Sequence, residues 1–338
     1  MRIIKPPKLN IGDRVGIISP SQPITNRKHY NRSINTLKNL GFEVVLGKHV
    51  FRSHGYAAGF PEERAEDLNS MFADPKIKAI FCSAGGYVSL HLLPLLNYSL
   101  IKKNPKVFSG FSDITILLNA IFKNTGLVTF YNFSVERFHE KASDFTIKSF
   151  LNLFISETTR LSLPQKSRWR IIKKGEAQGR LIGGNLETFT NNLILDQYAV
   201  NPAIDKGDYI LFFEEHGTDI ESLDKALHTL YLAKVFDNLK GVIIGKITDV
   251  GSRNETIKNI RFSKDLEFKN KPRPKNLTLN QFLLNKFEEF GVKIPVVANV
   301  DFGYVRDQIT MPIGTKVYMN LNKKEPVMKL INSPFRSN

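Results

Sequence analysis

Three short stretches combine residue types that could do nucleophilic chemistry. Gly110-Phe111-Ser112-Asp113-Ile114-Thr115 follows the apolar pair Val107-Phe108 and precedes a helical pattern. A serine at a strand-to-helix junction presents its Oγ above the sheet edge, at the positive end of a helix, with backbone N–H groups close by. Those are the mechanics of a nucleophile elbow, although the G-x-S-x-G pattern is absent. The same residues could instead cap the helix. Cys82-Ser83-Ala84-Gly85-Gly86-Tyr87 ends another apolar run. Paired glycines let a backbone N–H approach a ligand as an oxyanion hole requires, or they form an ordinary tight turn. Glu214-Glu215-His216 closes the run YILFF. Carboxylates beyond the carboxyl end of a buried strand lie where open α/β sheets bind ligands, or in a solvated loop.

Elements able to position these stretches alternate along the first half of the chain. Short apolar runs at 15–20, 42–46, 79–83 and 105–110 read as buried strands, and the segments 31–40, 61–72 and 114–122 read as helices. Glu62 and Glu63 fall in the first turn of the second helix, where acids favour the helix dipole. This alternation predicts a parallel sheet wrapped by helices. A second αβ unit follows: a helix opening at Gly183-Gly184-Asn185-Leu186, strands at 209–213 and 241–245, helices at 220–231 and 279–290, and a strand starting at Ile294. The expected division is a first domain over 1–155, a linker and entering strand over 156–180, and a second domain over 181–338.

Composition narrows the partners. With 338 residues, 42% hydrophobic and 24% charged, the chain has the make-up of a globular protein of about two domains. No apolar run approaches the ~20 residues of a membrane span, and the prolines and charges at the N-terminus argue against a secretory leader. A cytoplasmic location is expected. One cysteine, Cys82, excludes an internal disulfide and a Cys-based zinc site, and reads as a small core residue. The seven histidines form no metal-binding spacing, so no metal or cofactor is expected. The net charge of +16 includes a basic stretch at 251–276 with eight Lys/Arg against three acids. It matches no nucleic-acid-binding module, so it reads as a peripheral loop and nucleic acid is not the expected partner. An anionic small substrate fits the charge.

The motifs taken in order are more specific than any one of them. SAGGY, NPKVFSGFSDITIL, NTGLVTFY, LIGGNLETF, ILFFEE, IPVVANVDFG and QITMPIG together resemble the LD-carboxypeptidase family of serine peptidases, and most closely its microcin immunity branch. The resemblance runs from RVGIISPS to MPIGTKV. It implies an α/β protein: an N-terminal parallel-sheet domain, a C-terminal mixed α/β domain of swivelling type, and usually a homodimer.

The resemblance also implies roles. The family nucleophile falls on Ser112, its triad glutamate on Glu214, and its oxyanion donors on the backbone N–H groups of Gly86 and Asp113. Gly85, Tyr87, Asn185 and Trp169 are the residues expected to face the substrate, with Trp169 either stacking on a base or holding an ordinary half-buried strand position, the commoner use of such a residue. The third triad member, a histidine in F-G-H, falls on Tyr304 of Asp301-Phe302-Gly303-Tyr304. Tyrosine, with a pKa of ~10, is a poor general base where histidine, at ~6.5, is a good one. Asn132-Phe133, Ala84 and Val88 also depart from the family pattern. His216 lies two residues from Glu214 and could share its face in an extended segment, but a base beside the glutamate in sequence does not fit the triad arrangement.

The expected activity is that of a serine hydrolase cleaving a terminal amide of a muropeptide or of a peptidyl or aminoacyl nucleotide, with catalysis altered at Tyr304. The alternative is a homologue that binds an acylated ligand without efficient turnover.

Overall fold

A computed structural model describes residues 2–138, 142–156, 162–251 and 278–336. The first sheet is built from β1 (Arg14–Ile18), β2 (Glu43–Leu46), β3 (Ile77–Cys82), β4 (Val107–Gly110) and β5 (Thr129–Tyr131). These five are mutually parallel in the order β5-β4-β3-β1-β2. The helices α1 (Arg27–Asn39), α2 (Pro61–Ala73), α3 (Tyr98–Lys103) and α4 (Thr115–Thr125) fall between the strands in sequence, and α5 (Asp144–Phe154) follows. Parallel pairing requires such crossovers, which bury both faces of the sheet and explain its near-continuous apolar strands.

The second sheet contains β6 (Arg170–Lys173), β7 (Glu176–Asn185), β8 (Tyr209–His216), β9 (Leu239–Thr248) and β10 (Val296–Ala298). Helices α6 (Leu186–Asn191), α7 (Ile220–Leu232) and α8 (Leu279–Glu289) lie between them in sequence. The chain ends through β11 (Met311–Ile313), β12 (Lys316–Asn320) and β13 (Val327–Leu330). The order is β13-β12-β7-β8-β9-β10-β6, with β7 to β10 parallel and the outer strands antiparallel. The protein is therefore mixed α/β with two sheets. The alternating pattern does not foretell one crossing: β11, close behind the second domain's strands in sequence, pairs antiparallel with β5 and extends the first sheet.

Helix α4 joins the two halves. Its sequence TILLNAIF is mostly apolar, its Thr115 and Asn119 bond to Asn185 and Gly183 of β7, and Thr115 to Phe122 are buried without a break, as expected of a helix enclosed on every side. It packs against β4 and β5 on one side and against β7 and α6 on the other. One apolar core runs through this helix from the first sheet into the second. A second core, rich in phenylalanine, covers the opposite face of the first sheet beneath α1 and α5. Gly184 permits the close approach of the domains: with φ +143, a Cβ there would lie 2.3 Å from Thr115 Oγ1.

In the first sheet the strand order reverses between β1 and β3. Loops that part at such a switch point leave a crevice beyond the carboxyl ends of the strands. The loops after β1, β3 and β4, and the end of β8 from the second sheet, all meet there.

Candidate active site

Ser112 follows β4 in a tight 3-10 turn that leads into α4. Its φ is +60, one of four positive values among the described non-glycine residues. Holding a serine there costs roughly 1–3 kcal/mol and requires neighbours that enforce it. Thr115 Oγ1 donates to Ser112 O at 2.6 Å, and the Ser112 N–H donates to Tyr131 Oη at 3.2 Å. Neither Ser112 nor Asp113 caps the helix through its side chain. Gly85 leaves room for the serine, since a Cβ on it would lie 2.8 Å from Ser112 Cβ.

Two tyrosines connect this turn to the second domain. Tyr304 donates its hydroxyl proton to Ser112 Oγ at 2.6 Å. Tyr131, fully buried at the end of β5, accepts from the Ser112 N–H and donates to Glu214 Oε1 at 2.7 Å. Glu214 therefore reaches the nucleophile turn through Tyr131. Asn185, opposite Glu214 in the β7–β8 ladder, donates to Glu214 Oε1 at 3.4 Å and to Glu215 Oε1 at 2.9 Å. The other oxygen, Glu214 Oε2, is buried with no hydrogen-bond partner.

Electrostatics follow from this burial. Desolvation first, and then the Glu215 charge, push the Glu214 carboxyl up to about 8. Near pH 7 it is chiefly a neutral acid. Glu215 is also raised by burial, though three donors hold it: Asn185 Nδ2 and the backbone N–H groups of Glu187 and His216. Burial, followed by the Glu214 charge, raises the Tyr304 hydroxyl well above its ordinary value. Tyr304 is thus a neutral hydrogen-bond donor at physiological pH.

The loops at the switch point are tied to the nucleophile turn by a polar network. The Asp113 carboxylate accepts from Ser21 Oγ at 2.5 Å and from the Ser89 N–H at 2.9 Å. Ser89 Oγ donates to Asp113 O, and the Val88 N–H donates to Ser21 Oγ. Arg64, 2% exposed, donates to the carbonyls of Pro20 and Val88 and so staples the loops after β1 and β3 together. Gly86 lies between these anchors, with φ +142. Among the described residues the N–H groups of Gly86 and Asp113 have no acceptor.

A cavity of about 520 Å³ opens above Ser112. Gly85, Gly86, Tyr87, Asp113, Asn185 and Tyr304 line it, and Tyr87 stands at its rim, 86% exposed. Trp169 does not reach it. The indole is buried in the second domain's core, where its N–H donates to Asp301 Oδ2 at 3.1 Å. Asp301 also accepts from the Lys166 and Ser167 N–H groups and lies 3.6 Å from Lys246 Nζ, anchoring the turn that carries Tyr304. His216 stacks on the Tyr304 ring at 4.2 Å, and its Nδ1 lies 2.9 Å from Thr248 Oγ1. Burial raises the Cys82 thiol, which packs in the core. Among the described residues no group of three or more His, Cys, Asp or Glu side chains could hold a metal ion. No helix among them is long and apolar enough to cross a membrane. All but the first residue of the stretch 251–276 lies outside the described residues.

Sequence reasoning left out Tyr131, Ser21, Arg64 and Arg137. Tyr131 closes the quoted run NTGLVTFY, and a buried hydroxyl at the end of a short strand was the one signal available. The other three act through partners distant in sequence.

A strained serine at a strand-to-helix turn and a buried carboxyl joined to it through Tyr131 meet beneath one cavity, an arrangement compatible with acyl transfer. Family comparison agrees: residues 15–132 match the LD-carboxypeptidase N-terminal domain, and 178–319 match the LD-carboxypeptidase C-terminal domain. The chain belongs to the LD-carboxypeptidase family. A probable murein peptide carboxypeptidase of Bacillus subtilis is 33% identical over 327 residues, 96% of this chain and 94% of that protein. The microcin C7 self-immunity protein MccF of Escherichia coli is 30% identical over 348 residues, covering 94% and 93%. Among solved structures, MccF in complex with aspartyl sulfamoyl adenosine superposes with a TM-score of 0.81 at 26% identity, over 98% of this chain and 99% of that one. A MccF-like protein from Bacillus anthracis gives 0.79 at 28% identity, over 97% and 99%.

Proposed function

We propose that this protein hydrolyses a terminal amide of a muropeptide or of an aminoacyl nucleotide, through Ser112, with weak base assistance. The observation that carries this reading is the strained Ser112 turn with the Tyr304 hydroxyl on its Oγ. Ser112 Oγ attacks the carbonyl carbon, and the Gly86 and Asp113 N–H groups receive the developing oxyanion. A neutral tyrosine can take the serine proton only while passing its own to the departing nitrogen. Tyr304, with its raised pKa, is therefore a shuttle at best and a slower one than imidazole. Water then releases the acyl group. Glu214 steadies the nucleophile turn through Tyr131 rather than by charging a base.

Cytoplasmic residence and a homodimer, the family's usual state, belong to this reading, as does the first-domain and second-domain division near residues 155 and 181. A second reading is supported by the same tyrosine proton: with Oγ held by a donor, the site would bind an acylated ligand and turn it over very slowly. A fluorophosphonate probe separates the two. Labelling that is lost in Ser112→Ala, together with release of the terminal residue from an L,D-tetrapeptide or of the nucleotide phosphoramidate from N-aspartyl adenosine phosphoramidate, supports hydrolysis. Binding of these compounds without labelling or release supports the second reading.

A further inference from the structure

Among the described residues lining the cavity above Ser112, one carries a permanent positive charge: Arg137. It closes a short 3-10 turn, Val135–Arg137, beyond the end of β5. Its guanidinium carbon lies 4.9 Å from the centroid of the Tyr304 ring, the ring whose hydroxyl meets Ser112 Oγ. Its Nε is buried without an acceptor, and among the described residues no carboxylate forms an ion pair with it. Of the acids around it, Asp113 is held by Ser21 and Ser89, Glu215 by Asn185 and two backbone N–H groups, and Glu214, whose ionised form the Arg137 charge favours, by Tyr131 and Asn185.

A half-buried guanidinium in the wall of a cavity, its Nε without an acceptor, keeps hydrogen-bonding capacity for an anion. Its planar fork matches carboxylate and phosphate oxygens in a way a lone ammonium does not. The Tyr304 ring fixes its position by cation–π contact. We propose that Arg137 is a specificity-determining residue that binds an anionic group on the leaving side of the scissile amide. The side follows from Tyr304: the group that hands its proton to the departing nitrogen is the one Arg137 packs against. This inference rests on the hydrolase reading for its direction, though the anion site itself does not require turnover. The anion would be a C-terminal carboxylate one carbon from the amide nitrogen, or a phosphoryl group bonded to that nitrogen.

The test follows the Arg137 Nε–H resonance of the full chain by ¹H–¹⁵N NMR, assigned through its loss in Arg137→Gln. The titrants are the tetrapeptide L-Ala-γ-D-Glu-L-Lys-D-Ala, its C-terminal amide, acetate and methyl phosphate. We expect the acid to shift the resonance saturably and the amide to leave it in place. Arg137→Gln should weaken binding of the acid by about tenfold and that of the amide by less than about twofold. Saturation by methyl phosphate well below acetate assigns a phosphoryl source, and the reverse a carboxylate. A resonance unmoved by acid, acetate and methyl phosphate alike overturns the proposal, as does equal weakening of acid and amide in Arg137→Gln. Absence of hydrolysis with the shift intact rejects the hydrolase reading alone and keeps the anion site.

Discussion

Tyr304 Oη and Ser112 Oγ, 192 positions apart in the chain, lie 2.6 Å apart, and the proton between them belongs to the tyrosine. In a serine hydrolase with a working base the proton runs the other way, from serine to acceptor. That reversal accompanies a second feature: the Glu214 oxygen that lacks a partner. A side chain at 304 that donated to Glu214 Oε2 and accepted from Ser112 Oγ would satisfy both.

Tyr131 is the element that joins Glu214 to the nucleophile turn. Tyr131→Phe keeps the ring packed between Phe111 and Phe212 but leaves the Ser112 N–H without its acceptor and Glu214 Oε1 with only Asn185. We expect a stability loss of about 1–3 kcal/mol in urea denaturation. Phosphonylation of Ser112 should also slow, because the +60 turn is less firmly held. Unchanged stability and labelling would remove Tyr131 from the account.

Glu214 makes stability depend on pH. The folded protein keeps its proton up to about 8, whereas an unfolded chain releases it near 4.5. This contribution is therefore complete below about 4.5 and is lost as pH rises towards 8, at no more than ~1.4 kcal/mol per pH unit. Glu214→Gln, which keeps an acceptor for Tyr131, should flatten the fall between pH 5 and 8 by a few kcal/mol in total, on the order expected from such a shift. Parallel denaturation profiles for wild type and variant would contradict the buried-acid description.

The strand-to-helix turns, both αβ halves and the ends of β4 and β8 are legible in the sequence, because each depends on local apolar periodicity punctuated by glycine. The positions of Ser112 and Glu214 follow from those strand ends, and that of Gly85 from the end of β3. What joins them is not local. Tyr131 meets Glu214 across 83 positions, and Ser21 meets Asp113 across 92. No spacing encodes such contacts. β11 was hidden for the same reason: three residues contribute too little periodicity to reveal that they pair with β5. Trp169 shows the opposite hazard, since the family resemblance suggests a stacking platform there, whereas burial and Asp301 give it a structural task.

Trp169→Phe therefore removes an indole donor from a buried carboxylate without touching the cavity. We expect a loss of about 1–3 kcal/mol in stability, typical of a hydrogen bond to a charged group, with ligand affinity unchanged. Calorimetric titration with an aminoacyl-sulfamoyl adenosine checks this. A large drop in nucleotide affinity at unchanged stability would restore Trp169 to the binding surface.

The Ser21–Asp113 bond should matter for chemistry more than for binding. Ser21→Ala removes one of the two donors to Asp113 Oδ2 and leaves the Val88 N–H unpaired, loosening the loop that carries Gly86. The limiting rate of phosphonylation is expected to fall by about tenfold or more, short of the ~10²–10³ that follows removal of an oxyanion donor outright, while the probe's half-saturation concentration stays put. A change confined to half-saturation would mean that the network serves ligand binding instead.

The central claim is that Tyr304 occupies a base's place as a proton donor while the rest of the apparatus stands. Its direct test is the rate of amide hydrolysis at pH 7 for wild type, Tyr304→His, Tyr304→Phe and Tyr304→His combined with Ser112→Ala, on an L,D-tetrapeptide and on an N-aspartyl phosphoramidate of adenosine, whose acyl group is bonded to nitrogen. We predict a slow wild type, a gain in Tyr304→His towards the low end of the ~10²–10⁴-fold that general-base assistance supplies, and no activity in the double variant. Brisk hydrolysis by wild type, abolished in Tyr304→Phe and not improved in Tyr304→His, would contradict it.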